Sequence, residues 1–378
     1  MVIDDTAALD SLRSLRVLVV HEWFVSWAGS EKVVEQLLAL LPQADLAVAV
    51  VSDAMRAANP IAARARESWV ARLPGARTRH RWFLPLHPAA FASLDTRGYD
   101  LVVSSSHAFA KSVRVRPGVP HVCYCHSPPR YLYDLGETYA EQASPLERLA
   151  LRASTPVLRA VDRRAAARVT RFVSNSTFIA DRVRRWYGRE SDVVHPPVAP
   201  KHDAVTQQRR RERFVLSLGR LVPYKRTDLA ILAAERLGVP LVVAGDGPER
   251  ARLERLAGAH TTFVGAVDDA EAARLMERCA AFVFSAEEDF GIAPVEANAH
   301  GAPVVGYARG GLLETMRDGE TGILFTERDP DAVAAAIQRA LEHPWRDDVV
   351  RANAARFAPA RFRTRMAAVL ASAMTPRA

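Results

Sequence analysis

Four charged residues in the second half of the chain are placed for chemistry. Glu288 and Glu296 flank the segment Asp289-Phe-Gly-Ile-Ala-Pro-Val295. The run ahead of them, Ala281 to Ser285, is apolar, β-branched and aromatic, the pattern of a buried parallel strand. A strand that turns through Gly291 into a helix starting near Ile292 aims free backbone N–H groups outside the strand's carboxyl end. Such an end suits a phosphate. A carboxylate beside a phosphate would repel it, so Glu288 and Glu296 are better placed to accept hydrogen bonds from hydroxyls. Arg220 and Lys225, in Gly219-Arg-Leu-Val-Pro-Tyr-Lys225, follow another strand. One offers a two-pronged fork and the other a point charge, both suited to phosphate oxygens. Hydroxyls next to a diphosphate describe a sugar nucleotide.

The elements that must position these residues alternate strand and helix. A first series reads as strands at Arg16–Val20 (ending at His21-Glu22), Leu46–Val51, Leu101–Ser104, His121–Tyr124 and Arg171–Val173. Glu31–Leu41 has helical spacing, and Leu149–Val169 reads as one helix or two joined at Pro156. A second series runs through Phe214–Leu218, Pro240–Ala244, Thr262–Val264, Ala281–Phe284 and Pro303–Gly306. Alternation of this kind implies parallel sheets with helices on both faces. The Pro-rich and polar stretch from Pro196 to Arg213 separates the two series as a linker. The expected domains are residues 1–195, 196–357 and a helical segment 358–378. Two doubly wound domains joined by one hinge are expected to bind ligand between facing strand ends.

Composition narrows the class. At 378 residues, 49% hydrophobic and 25% charged, the chain suits two globular domains with full cores. No apolar run reaches the roughly 18 to 20 residues that span a bilayer. The start lacks the basic and apolar regions of a signal peptide, and three cysteines are too few for a disulfide framework. Cytoplasmic residence is the expectation. A net charge of +8 suits an anionic partner, without the motifs of nucleic-acid binding.

Three local patterns imitate other chemistry. Gly245-Asp-Gly247 follows a strand, but a dinucleotide fingerprint would need glycine where Arg250 stands. Asp329-Pro-Asp331 has a metal-binding spacing, yet an Asp followed by Pro and a second acid is a complete helix start. His121, Cys123, Cys125 and His126 crowd one strand, where two cysteines read as buried packing. No metal or other cofactor is expected. Arg77 to Leu86 mixes cations with Trp82 and Phe83, either a segment for an anionic membrane surface or a basic loop with its rings tucked inward.

Glu288 and Glu296, with seven residues between them, resemble the E-x7-E signature of retaining glycosyltransferases of the GT-B fold, family 4. Gly219-Arg220 with Lys225 resembles that family's G-R-x-x-x-x-K element, and Gly310-Gly311 with Glu314 its G-G-x-x-E element. The resemblance implies an α/β GT-B fold of two doubly wound Rossmann-like domains. It implies that Arg220 and Lys225 hold the donor diphosphate, Glu288 orients the sugar and Glu296 the ribose. The amides of Gly291, Ile292 and Ala293 would lie by the diphosphate, with Phe290, Gly219, Gly245, Gly247, Val264 and Gly265 around the nucleotide. In the first domain Gly29 and Ser30 resemble the acceptor-side glycine loop, and His126 the histidine at the reacting sugar. Ser106, His107 and Ser127 would line the acceptor side with them.

A retaining hexosyltransferase follows, taking sugar from a nucleotide donor, with GDP-mannose the first choice through resemblance to mannosyltransferases of polysaccharide and O-antigen type. The acceptor hydroxyl would belong to a lipid-linked glycan or a small molecule. Peripheral contact with the anionic inner face of the cell membrane is compatible with the basic aromatic segment. Two rival readings stand beside it: a GT-B-fold nucleotide-sugar epimerase, and a catalytically silent module on a membrane surface.

Overall fold

The computed structural model describes residues 5–134, 145–200 and 211–375. Contacts divide the chain into one unit running up to Pro197 and resuming at Ala360, and a second from Val198 to Pro359. Ten residues of the expected linker, 201–210, lie outside the described residues.

The first unit is built on a parallel sheet of strands β1 (Val17–Phe24), β2 (Asp45–Val51), β3 (Arg66–Glu67), β4 (Leu101–Ser106), β5 (His121–Cys125), β6 (Arg171–Ser174) and β7 (Ser191–Val193). Their order is β3-β2-β1-β4-β5-β6-β7. Successive side chains leave opposite faces of a strand, and both faces here are covered. Val17, Val19, Val48 and Val103 enter one core with the helix Gly29–Leu40, while Leu18, Val20, Ala47 and Val102 enter another with Phe91 and Leu158. The C-terminal helix Pro359–Met374 belongs to the first core through Phe362, Met366, Ala367 and Leu370, one stripe of its surface.

The second unit repeats the design with β8 (Val215–Leu218), β9 (Leu241–Ala244), β10 (Thr261–Gly265), β11 (Ala281–Phe284), β12 (Val304–Tyr307) and β13 (Gly322–Phe325), in the order β10-β9-β8-β11-β12-β13. Each unit therefore has the strand order 3-2-1-4-5-6 in its own numbering, extended by β7 in the first. The chain reverses direction across the sheet between β1 and β4, and again between β8 and β11. Ligands gather at such switch points because the loops leaving the two strands diverge there and open a crevice.

The structure departs from the sequence expectations in several places. β1 runs on to Phe24, so His21 and Glu22 lie inside a strand, because Trp23 and Phe24 still pair with Val50 and Val51. β4 continues two residues past the expected Ser104, so Ser105 and Ser106 are also strand residues, paired with β5 and buried. The edge strands β3 (Arg66–Glu67) and β7 (Ser191–Val193) escape the apolar pattern because they are short and polar, whereas β13 (Gly322–Phe325) is an apolar run of four that the sequence reading missed. One unbroken helix runs from Pro145 to Arg168 across Pro156.

Candidate active site

In the second unit, β8 ends in Leu218 and delivers Gly219 and Arg220, while β11 ends in Phe284 and delivers Ser285 to Gly291. A small pocket between them is lined by Gly219, Arg220, Lys225, Thr227, Phe284 and Ser285. Lys225 forms an ion pair with Glu288, both side chains about one-fifth exposed. The ammonium also stands 5.2 Å from the centre of the Phe284 ring. Arg220 is exposed and has no carboxylate partner among the described residues. Ser285 is buried, and its hydroxyl has no partner among the described residues. From Gly291, held at φ 86°, the helix Ile292–Ala299 begins without a side-chain cap. Its first N–H groups therefore stay available to an outside acceptor. Pro294, which has no N–H to satisfy, fills the first turn. Glu296 is a buried residue of the same helix.

The glycines of this unit have a packing task that their motifs do not reveal. A Cβ on Gly245 would lie 1.9 Å from the carbonyl oxygen of Gly219, and one on Gly247 would lie 2.2 Å from that of Leu221. Neither distance is survivable, so these glycines let two loops lie backbone against backbone. Hydrogen bonds lace them: Gly219 N–H to Ala244 O at 3.0 Å, Leu221 N–H to Asp246 O at 2.9 Å, and Gly245 N–H to Gly265 O at 2.6 Å. The same device braces the acidic loop. A Cβ on Gly310 would meet Glu288 O at 2.3 Å, and Gly311 donates its N–H to that oxygen at 2.8 Å. Val264, beside this packing, leaves its side chain 45% exposed.

The Phe290 ring is buried and stands edge-on to Phe357 at 5.3 Å, so the side chain anchors the loop in the core. Asp329 accepts N–H bonds from Asp331 and Ala332 at 2.8 and 3.2 Å, which makes it a helix cap. Among the described residues no group of three or more His, Cys, Asp or Glu side chains is arranged to hold a metal ion.

In the first unit the corresponding loops follow β1 and β4. Gly29 opens the helix Gly29–Leu40, and Glu31 satisfies its start by accepting from the Ala28 N–H at 3.0 Å and the Ser30 hydroxyl at 2.9 Å. His126 follows β5, half buried, with Nε2 at 2.8 Å from the Ser105 hydroxyl. Burial first, then the neighbouring rings of His107 and His21, push the His126 imidazole well below its ordinary range. The ring is neutral at physiological pH. His107, half buried, stacks edge-on with Trp23 at 4.8 Å.

Two residues expected on the acceptor side have hydroxyls committed elsewhere. Ser106 donates to Glu22 at 2.9 Å, and Ser127 donates to the Pro128 carbonyl at 2.8 Å. Both are buried. Sequence reasoning also missed Glu22, whose fully buried carboxylate accepts the amides of His107, Ala108, Phe109 and Ala110 besides the Ser106 hydroxyl. Burial works against its charge, but His107, those amides and Lys111 together hold the carboxyl below its usual range. His21, Glu31 and Ser105 were missed as well. For Glu22, His21 and Ser105 the available signal was polar residues inside an apolar strand, which are rarely placed there without partners.

Known proteins agree with this layout. A model of glycosyltransferase family 4 matches residues 27–202, and one of glycosyl transferases group 1 matches residues 199–357. Both halves are glycosyltransferase domains. Among curated relatives, a glycogen synthase of Mycobacterium tuberculosis is 37% identical over 142 residues, 34% of this chain and 34% of its own length. A D-inositol 3-phosphate glycosyltransferase of Mycobacterium bovis is 34% identical over 214 residues, 49% of this chain and 44% of its own length. The chain thus spans less than half the length of these relatives. Among solved structures, Anabaena HepE in complex with UDP superposes with TM-score 0.67 at 17% identity, covering 95% of this chain and all (100%) of that one. WaaG, a glycosyltransferase involved in lipopolysaccharide biosynthesis, gives 0.63 at 17% identity over 94% and 99% of the two chains. These likenesses place the fold as GT-B, two Rossmann-like domains.

Proposed function

We propose that this glycosyltransferase moves a hexose from a nucleotide sugar to an acceptor hydroxyl with retention of anomeric configuration. The observation that carries the reading is the meeting of Lys225 with Glu288 beside an unpaired Arg220, under an uncapped helix start. The Lys225 and Glu288 charges neutralise each other in the ion pair. A diphosphate would attract Lys225 and Arg220, and Lys225 would then release Glu288 to accept hydrogen bonds from sugar hydroxyls. As the bond to the sugar breaks, charge develops on the departing diphosphate. Two cations and the free amides of Ile292 and Ala293 would meet it, and preorganised charge of this kind is commonly the largest catalytic term. Glu296 would take the ribose hydroxyls. No carboxylate is assigned as a nucleophile, so the acceptor would attack from the leaving-group face while a phosphate oxygen removes its proton. His126 would contact a hydroxyl of the reacting sugar.

The donor is open to one direct test. Resemblance in the acceptor-side loops favours GDP-mannose, whereas Anabaena HepE has been solved with UDP-glucose. A thermal-shift screen with GDP, UDP and ADP sugars should single out one nucleotide, since ligand at a hundredfold excess over Kd stabilises by about 2.7 kcal/mol. With that donor, Glu288→Ala should lose on the order of 10²-fold or more in turnover. Unchanged turnover in that variant refutes the assignment. Binding at an anionic membrane surface, and a lipid-linked or small-molecule acceptor, belong to the same proposal. Among the described residues no helix is long and apolar enough to cross a membrane.

A further inference from the structure

Arg226, next to Lys225, has an unusual backbone. Among the described residues it is the single residue other than glycine with a left-handed φ, 52°. A Cβ in that region crowds the following carbonyl, so L residues stay there only when their surroundings hold them. Two hydrogen bonds do so here. The Arg226 N–H closes a 3₁₀ turn, Pro223–Lys225, on the Pro223 carbonyl at 3.2 Å, and the Arg226 carbonyl accepts the Leu229 N–H at 3.1 Å. One residue thus ends the turn that bears Lys225 and begins the helix Thr227–Leu237. Its side chain adds a third hold. The guanidinium grips Asp228, with Nε 3.0 Å from Oδ1 and Nη2 3.0 Å from Oδ2.

We propose that Arg226 is a positioning residue: its left-handed backbone, clamped by Asp228, aims the Lys225 ammonium into the pocket beside Arg220 and Glu288. The short segment that carries Lys225 is anchored on both sides. Downstream, the helix Thr227–Leu237 is sunk in the core through Leu229, Ala230, Ile231, Ala233 and Ala234. Upstream, Leu221 is buried in the same core, and its N–H is bound to Asp246 O at 2.9 Å. A change at Arg226 can therefore be absorbed only between these anchors, where Lys225 is its immediate neighbour. An ordinary helical φ lies near −60°, so relaxing residue 226 would rotate the peptide that joins it to Lys225 by roughly 110°. The ammonium would then lose its ion pair with Glu288 and its place 5.2 Å from the centre of the Phe284 ring. Both of those partners belong to β11 and the loop that follows it, so they report where Lys225 points and not whether its own turn is formed.

Strain kept at a site needs a compensating hold, and the fork on Asp228 is that hold. Glycine would take the same φ without strain and without a clamp. The positioning role concerns the protein alone; that the ammonium meets a diphosphate rests on the proposed function.

The test uses the full chain labelled with 13C at lysine Cε. The sequence has four lysines, and the Lys225 signal is assigned by its loss in Lys225→Arg. In the wild type, Glu288→Gln should move that signal, and the size of the movement reports the ion pair. In Arg226→Val, whose branched side chain resists a left-handed φ, the movement should vanish. The Kd for UDP, GDP or ADP, whichever binds, should rise on the order of tenfold, the scale of one charge-assisted hydrogen bond. Asp228→Ala, which removes the clamp alone, should shrink the movement and raise Kd severalfold. Adding Arg226→Gly to Asp228→Ala should restore both. A movement in folded Arg226→Val equal to that of the wild type overturns the proposal, and so does a failure of Arg226→Gly to restore it. A Lys225 signal that follows Arg226 as expected, in a protein that binds none of the three nucleotides, would uphold the positioning role while refuting the diphosphate reading.

Discussion

The two units share a strand order but fix their switch-point loops by opposite means. In the second unit the loops after β8 and β11 are held by backbone packed on backbone, made possible by Gly245, Gly247, Gly310 and Gly311. In the first, the loop after β4 is held by buried charge: Glu22 gathers four loop amides, and Lys111 pairs with Asp162 at 2.6 Å. Asp162 also accepts from the Tyr133 and Tyr187 hydroxyls at 3.0 and 2.7 Å. The difference follows from what each site must offer. On the proposed chemistry, a loop whose amides are to meet a diphosphate would not spend those amides on a buried carboxylate. A loop that presents a neutral imidazole can, and gains rigidity by doing so.

The contrast is broken most forcefully at Asp162. Asp162→Asn leaves the Lys111 ammonium buried and uncompensated, a change that costs about 3–5 kcal/mol in comparable pairs. Thermal unfolding should show a large loss confined to the first unit, with nucleotide affinity in the second unchanged. Equal loss of nucleotide binding would mean that the two devices are not independent.

Next in size is the pH dependence of Glu31. Burial raises its pKa, but His21 and the Ser30 hydroxyl more than reverse that, from an ordinary 4.5 to about 2. A depressed carboxyl contributes stability that is present above its unfolded value and is lost as pH falls towards the folded one. The drop corresponds to roughly 3 kcal/mol at neutral pH. The stability gap between the wild type and Glu31→Gln should therefore be largest above pH 5 and narrow steadily towards pH 3. His80 and His87, pushed to about 4 chiefly by burial, also titrate in that range, but they are common to both proteins and cancel in the difference. A gap independent of pH would show that Glu31 contributes through shape alone.

How legible each half was in the sequence follows from the same contrast. Arg220, Lys225, Glu288 and Gly291 are readable because their spacing along the chain is their geometry: each lies within a few residues of a strand end that apolar runs reveal. The parallel sheets were legible for the same reason. The cluster of Glu31, His21, Ser105 and His126 was not, because it joins four elements far apart in sequence. Only strand register, with His21 beside Ser105 across β1 and β4, brings them together. The glycines were legible as special positions, but their packing role was not, since the atom each one makes room for belongs to another loop. Gly245→Ala tests that purpose. The Cβ must displace the Gly219 carbonyl, which should cost about 1–3 kcal/mol in strain and lower nucleotide affinity about tenfold while the first unit stays unaffected. Lost nucleotide affinity with no loss of stability in that variant would return the glycine to a role in ligand approach.

The smallest effect concerns the outer surface of the first unit. Trp82 is 71% exposed, with Arg79 over its ring at 5.3 Å, whereas Phe83 turns partly into the core. Of the two readings of this basic aromatic segment, inward-tucked rings hold for Phe83 and fail for Trp82. An exposed indole contributes little to folding, so Trp82→Ser should shift stability by less than about 0.5 kcal/mol. If the segment rests on an anionic membrane, the same substitution should weaken sedimentation with phosphatidylglycerol vesicles severalfold, and added salt should weaken it further by screening the arginines. Vesicle binding that is identical in both proteins would remove Trp82 from any membrane role, leaving the buried-charge device as the feature that sets this unit apart from the other.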